Sequence, residues 1–248
     1  VLCGAVNDFC LSVEDVERCF NEYNQENSLI SYVLGFSHEY TNSKDKIQQV
    51  AALSHKYKAP VYTHLSETEY EVNTCKEKTG RSPVEYLCDL GVYDYGGGAF
   101  HCVHMSEHDL DLFKEKHLNI VTNPASNLKL ASGIAPIQAM LQRNINVCLG
   151  TDGAASNNCL DMFREMFLVT GLAKYKNCDA SAVDAYEVLK MATVNGAKAL
   201  NLNCGVLEAG KLADLIILDL YQPNMQPMNN IAKNIVYSGS KSNVKCTM

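Results

Sequence analysis

Four residues of this chain could together run hydrolysis at a metal ion: His64, Glu67, His101 and Asp152. In Thr63-His64-Leu65-Ser66-Glu67-Thr68 a histidine closes an apolar run and a glutamate follows in the next loop. An imidazole so placed can hold a borderline ion, and a nearby carboxylate can move protons. An HxxE spacing is common by chance, so the pair carries little on its own. Phe100-His101-Cys102-Val103-His104 ends a second apolar run with two histidines. In a strand that runs through both, residues three apart face opposite sides, so the two would not share an ion. His101, at the expected strand mouth, is the functional candidate, and His104 reads as a hydrogen-bonded packing residue. Leu149-Gly150-Thr151-Asp152-Gly153 ends a third run in a carboxylate. Asp-Gly is also a frequent turn, yet a carboxylate beside histidines makes a donor set with room for water.

These residues need elements to position them, and the sequence supplies a regular series. Strands are expected at 1–6, 30–36, 60–64, 99–104, 119–122 and 146–150. Helices are expected at 44–56, 69–78, 83–90, 107–116, 134–143, 160–174 and 185–200. Short apolar strands alternating with helices of about ten residues or more indicate βα units on a parallel sheet. His38, His64, His101 and Asp152 each fall at or just past the C-terminal end of a strand, which is the active-site face of a (β/α)8 barrel. The loop 123–133 between two of these elements is polar, and its Asn and Ser residues suit backbone-holding roles. His55, His108 and His117 lie on helical stretches beside Lys and Glu and read as surface residues. After residue 204 the texture changes, and apolar runs at 215–220 and 235–237 suggest strands of a small β unit. The expected domains are therefore 1–204, an α/β barrel, and 205–248, a partial β-sandwich segment.

Composition narrows the function. The chain has 248 residues, is 47% hydrophobic and carries a formal net charge of −7, with no Lys/Arg run. That balance disfavours a nucleic-acid surface and leaves a free small molecule as the expected partner. No stretch has the length and apolarity of a membrane span or the layout of a signal peptide. The 11 cysteines are odd in number and contain no CxxC pair. They read as reduced thiols of a cytoplasmic protein rather than a disulfide framework.

With these pieces in order the sequence resembles the amidohydrolase superfamily, in its 5-methylthioadenosine/S-adenosylhomocysteine deaminase branch. The resemblance runs from about residue 29 to the end and is densest in His64–Glu67, His101–His104, NPASNLKLASGIAPI (123–137) and GTDGAASNN (150–158). It implies a TIM-type barrel and one divalent metal ion, zinc first and iron as the alternative. It places a metal ligand at His64 and a ligand and general base at Asp152. The water-polarising histidine falls on His101, and the residue that relays protons and touches substrate on Glu67. A substrate-contacting histidine falls on His38, although GFSHEYTNS (35–43) is one residue shorter than the family pattern there and lacks its proline. The implied reaction is hydrolytic deamination of an adenine nucleoside: 5-methylthioadenosine, S-adenosylhomocysteine or adenosine. Relatives that recognise the carboxylate of S-adenosylhomocysteine use arginines before the fourth strand, where this chain offers only Arg18. Alternatives are a sister aminohydrolase acting on guanine, another heterocycle or a chloro-triazine, and an inactive barrel serving as a binding module. A homo-oligomer is compatible with all of these.

Family members also carry an His-x-His pair on their first strand, and residues 1–37 hold no histidine. The resulting expectation is a barrel lacking its first strands and ending inside the C-terminal β-sandwich. Such a chain, taken alone, would hold metal weakly and be inactive.

Overall fold

The computed structural model describes residues 2–6, 12–25 and 30–248. Cys10 lies outside these residues, as does the side chain of Cys3. The chain forms two compact units, Val1–Ile120 with Arg143–Ile145, and Val121–Gln142 with Asn146–Met248.

The first unit contains strands β1 (Leu2–Val6), β2 (Tyr32–Phe36), β3 (Val61–Leu65) and β4 (Gly97–His101), each paired in parallel with the next. The start of β5 (Asn119–Thr122) lies along β4, where Asn119 Nδ2 donates to Gly97 O at 2.8 Å. Parallel strands cannot be joined by tight turns, and helices make these crossovers. Five helices of this unit begin with a Ser or Thr whose hydroxyl accepts from the backbone N–H three residues on: Ser12, Ser43, Thr68, Ser82 and Ser106. Such caps are worth about 1 kcal/mol each and fix where each helix starts. Strands β2 and β3 are buried at nearly every position, as expected of a parallel sheet covered on both faces.

Strand β4 stops sooner than the pattern predicts, and it starts earlier because Gly97-Gly98 belongs to the sheet rather than to a loop. A Cβ on Gly97 would stand 2.0 Å from Val61 O, and one on Gly98 2.3 Å from Asn119 O. Only glycine lets the backbones come so close. His104 consequently lies beyond the strand, so strand alternation does not relate it to His101.

The second unit contains the end of β5, β6 (Asn146–Leu149) and an antiparallel pair, β7 (Ile216–Leu218) with β8 (Val244–Thr247). Gly150 N donates to Thr122 O at 2.9 Å, which ties the end of β6 to β5. The expected polar loop at 123–133 contains a helix, Pro124–Lys129, and its Ser126 and Asn127 are buried. The expected helix 185–200 is two, Ala185–Met191 and Val194–Ala199. Thr193 Oγ1 donates back to Leu189 O at 2.6 Å, while Asn195 Nδ2 donates to Val147 O at 2.8 Å and pulls the second piece onto β6. The expected strand at 235–237 is part of a helix, Ile231–Ser238. Asn230 caps it by accepting from Lys233 N, and Ala232 and Val236, one helical turn apart, are its buried residues.

Among the described residues all cysteines are free. Burial pushes the thiols of Cys75 and Cys88 up to about 11 and that of Cys148 up to about 12, which leaves them protonated packing groups. No helix among the described residues is long and apolar enough to cross a membrane.

Gly97→Ala should destabilise the protein by well over about 1 kcal/mol, since the new Cβ meets backbone and φ is +125°. The urea midpoint reads this, and an unchanged midpoint would show that β4 does not approach β3 as described.

Candidate active site

The register of the parallel strands brings three histidines within one residue of the same level. Phe36 pairs with Thr63 and Leu65 with His101, so Ser37, His64 and His101 emerge at one edge. The carbonyl of Ser37 accepts from His64 N at 3.0 Å and from Thr63 Oγ1 at 2.9 Å. It also faces His64 Nδ1 at 3.0 Å. A carbonyl can only accept, so Nδ1 carries the proton and Nε2 carries the lone pair of the neutral ring. His38 follows directly; its Nδ1 lies 2.9 Å from Ser37 Oγ. The rings of His38 and His64 stack at 4.5 Å, and those of His64 and His101 at 5.4 Å.

Glu67 reaches back to this row. Its Oε2 lies 3.6 Å from His38 Nε2 and 3.8 Å from His101 Nε2, while the Glu67 side chain is 13% exposed and that of His101 1%. The loop that presents it is held by Glu71, which accepts from Ser66 N at 2.5 Å and from Glu67 N at 2.7 Å. Burial and then the charges of Glu71, Glu67 and Glu39 hold the Tyr40 hydroxyl above its usual value at the edge of this cluster. Within the first unit, then, His38, His64, Glu67 and His101 come together. His55 and His108 pair on the surface with Asp94 and Glu85, and His117 is exposed.

In the second unit Asp152 follows β6. Ser126 Oγ and Ser156 Oγ both donate to its Oδ2, at 2.6 and 2.5 Å. Behind these serines stands Glu165, wholly buried, which accepts from Ala125 N at 2.9 Å and from Asn157 Nδ2 at 2.7 Å. Asn157 Nδ2 also donates to Thr151 O at 2.6 Å. Burial raises the Glu165 carboxyl, and the two hydrogen bonds pull it back down. A Cβ on Gly150 would lie 2.5 Å from Asn123 Oδ1, so any larger residue there would displace that side chain. One network therefore joins the stretches 123–127, 150–158 and Glu165, and it terminates on Asp152.

Four of the described left-handed residues other than glycine stand at these strand ends. Ser66 (φ +49°), His101 (+70°), Cys102 (+50°) and Asp152 (+59°) are all left-handed without being glycine. Such conformations persist only where the surroundings impose them, and they concentrate at functional sites. Sequence reasoning missed Ser37, Glu71, Ser126, Ser156, Asn157 and Glu165. The density of Asn and Ser in 123–127 and 154–158 was the available signal.

The profile of the amidohydrolase family matches residues 13–248. The 5-methylthioadenosine/S-adenosylhomocysteine deaminase of Thermoanaerobacter pseudethanolicus is 42% identical over 235 residues, covering 94% of this chain and 54% of that protein. The 5'-deoxyadenosine deaminase of Methanothermobacter thermautotrophicus is 43% identical over 215 residues, covering 87% and 50%. The chain thus spans about half the length of the curated relatives it matches. Among solved structures, an adenosine deaminase from Xanthomonas campestris with bound zinc superposes with a TM-score of 0.93 at 31% identity, over 99% of this chain and 58% of that one. A guanine deaminase from C. acetobutylicum gives 0.87 at 23% identity, over 100% and 62%, a likeness of fold alone. These neighbours are α/β barrels, the class read from the strand and helix pattern.

Glu165→Ala should cost about 1–3 kcal/mol for each of the two buried donors it leaves without an acceptor. Denaturant unfolding measures this, and a loss below about 0.5 kcal/mol would mean the network does not support the fold.

Proposed function

From a chain that belongs to the amidohydrolase family, we propose the hydrolytic deamination of an adenine nucleoside to its inosine analogue and ammonia. The observation that carries this is the place of Glu67, a half-enclosed carboxylate within 4 Å of two imidazoles, His38 and His101. Deamination of a purine needs a group that can give a proton to a ring nitrogen, and this is the carboxyl placed to do so.

The donor chemistry fits a metal. Two imidazoles and a carboxylate, His64, His101 and Asp152, suit a borderline divalent ion. The Ser37 carbonyl has already fixed the His64 tautomer that ligation requires. We assign His64 and Asp152 as ligands, with His101 beside His64, and zinc as the ion, in keeping with the zinc of the Xanthomonas structure. An ion held there would lower the pKa of a water molecule toward neutrality. Asp152 takes a proton from the attacking water, and His101 orients it. Oxygen bonds to C6 of the adenine ring as Glu67 gives a proton to the adjacent ring nitrogen. Asp152 passes the water proton to the amino group and Glu67 takes one back from the new C6 hydroxyl, so that the C6–N bond breaks and ammonia leaves. His38, stacked on His64 and facing Glu67, contacts the nucleoside.

The names of the relatives favour nucleosides altered at the 5' position. Arg18, the one arginine of the region before β2, is paired with Asp15 at 2.9 Å with its side chain 66% exposed. A substrate without a carboxylate, such as 5-methylthioadenosine or 5'-deoxyadenosine, suits this better than S-adenosylhomocysteine.

In the full natural protein, Glu67→Gln should lower kcat by about 10²–10⁴ while metal content stays the same. Ammonia release and metal analysis read the two effects, and full turnover in the variant would remove Glu67 from the mechanism. A panel of 5'-substituted adenosines against guanine and a chloro-triazine should show turnover for the adenosines, and preference for guanine or the triazine would replace the substrate assignment.

A further inference from the structure

Behind the Glu67 loop lies a second carboxyl pair. Glu71, in the first turn of the helix Glu69–Thr79, is wholly buried, and its two oxygens accept from the amides of Ser66 and Glu67. Ser66 is left-handed at φ +49°, a conformation that needs such a restraint in a residue other than glycine. On its other side Glu71 meets Glu39, the neighbour of His38 in sequence. Glu39 is 5% exposed, and neither of its buried carboxyl oxygens accepts a hydrogen bond of full geometry. Two carboxyls that face each other out of water cannot both be ionised without strong repulsion, and a proton between them turns the contact into a hydrogen bond.

The surroundings decide which of the two carries the proton. Glu71 has two backbone N–H donors and sits in the first turn of a helix, where an anion is favoured. The backbone N–H groups of Glu39 and Tyr40 offset only part of the cost for Glu39, and burial followed by the charge of Glu71 pushes its carboxyl up to about 8. The other titratable groups that face Glu39 are Tyr40 beside it, Cys75 on the helix Glu69–Thr79, Tyr86 on the helix Pro83–Asp89, and Tyr93. Burial holds each of these four in its neutral form at pH 7. Lys44 and Lys78 border the same cleft as Glu39, and the charge of Lys78 acts on Cys75.

We infer that Glu71 is a positioning residue for Glu67, and that it acts as the anionic half of a proton-sharing pair with Glu39. Protonated Glu39 donates to Glu71, and Glu71 as an anion grips the two amides that set the direction of Glu67. Loss of the shared proton places two charges in one buried space, weakens the grip and lets Glu67 drift from His38 and His101. This rests on the proposed role of Glu67. For stability the sign follows from a raised acid: the contribution is full below the ordinary value of 4.5 and is lost as pH rises through about 8.

The test combines carbon-13 NMR of labelled glutamate carboxyls, amide NMR and the pH profile of kcat, on the natural protein and on Glu39→Gln and Glu71→Gln. The Glu39 carboxyl should titrate near pH 8, with the Ser66 and Glu67 amides shifting at the same midpoint. In Glu39→Gln the amides should stop titrating there, and the alkaline fall of kcat with that midpoint should vanish. Glu71→Gln should lose about 10- to 100-fold in kcat, the usual loss for a residue that orients a working group. If Glu71→Gln does not fold, the Glu39→Gln profile and the wild-type titration decide. A Glu39 carboxyl titrating near 4.5 with static amides overturns the inference, as does a folded Glu71→Gln with wild-type kcat. If the amides follow Glu39 while no nucleoside yields ammonia, the pair stands and the deaminase reading falls.

Discussion

The carbonyl of Ser37 is the atom on which the histidine row depends. Three donors converge on it, the His64 amide, the Thr63 hydroxyl and His64 Nδ1. The first two lock the end of β2 to the end of β3, and the third selects the tautomer and orientation of the His64 ring. His38 follows Ser37 directly, so the same lock places the second imidazole 4.5 Å from the first. The β3–β4 register then delivers His101 to the other side. An interaction between backbone and ring thus converts strand register into the geometry of a site, with little left to side-chain freedom.

Two buried glutamates extend that control into the loops. Glu71 holds the loop of Glu67, and Glu165 holds the stretches whose serines bind Asp152. Each works by accepting from donors that burial has cut off from water, where a lost partner is costly. Two left-handed residues lie at the ends of these restraints: Ser66 beside Glu67, and Asp152 beneath Ser126 and Ser156. The working groups are held in place by carboxylates that need never touch a substrate.

Much of this was legible in the chain itself. The Ser/Thr caps mark helix starts through a local hydrogen bond that sequence spacing reveals, and strand ends are where His38, His64, His101 and Asp152 had to fall. What escaped was set by contacts distant in sequence. Gly97 and Gly98 look like a loop until β3 and β5 approach them. Ile235 and Val236 look like a strand until Asn230 caps a helix ahead of them. Glu71 and Glu165 look like ordinary acidic residues on helices, and only burial with named donors separates them from solvated neighbours. The positions at strand ends of residues able to carry chemistry were visible by type and place, while the residues that hold them were not.

The central claim is that water replaces the amino group of an adenine nucleoside at this histidine and carboxylate cluster. Incubation of the natural protein with 5-methylthioadenosine in oxygen-18 water tests it most directly. Mass spectrometry of the product should show the inosine analogue with one heavy oxygen at C6 and one equivalent of ammonia. Recovery of unchanged nucleoside, or of a product without the heavy oxygen, would contradict it.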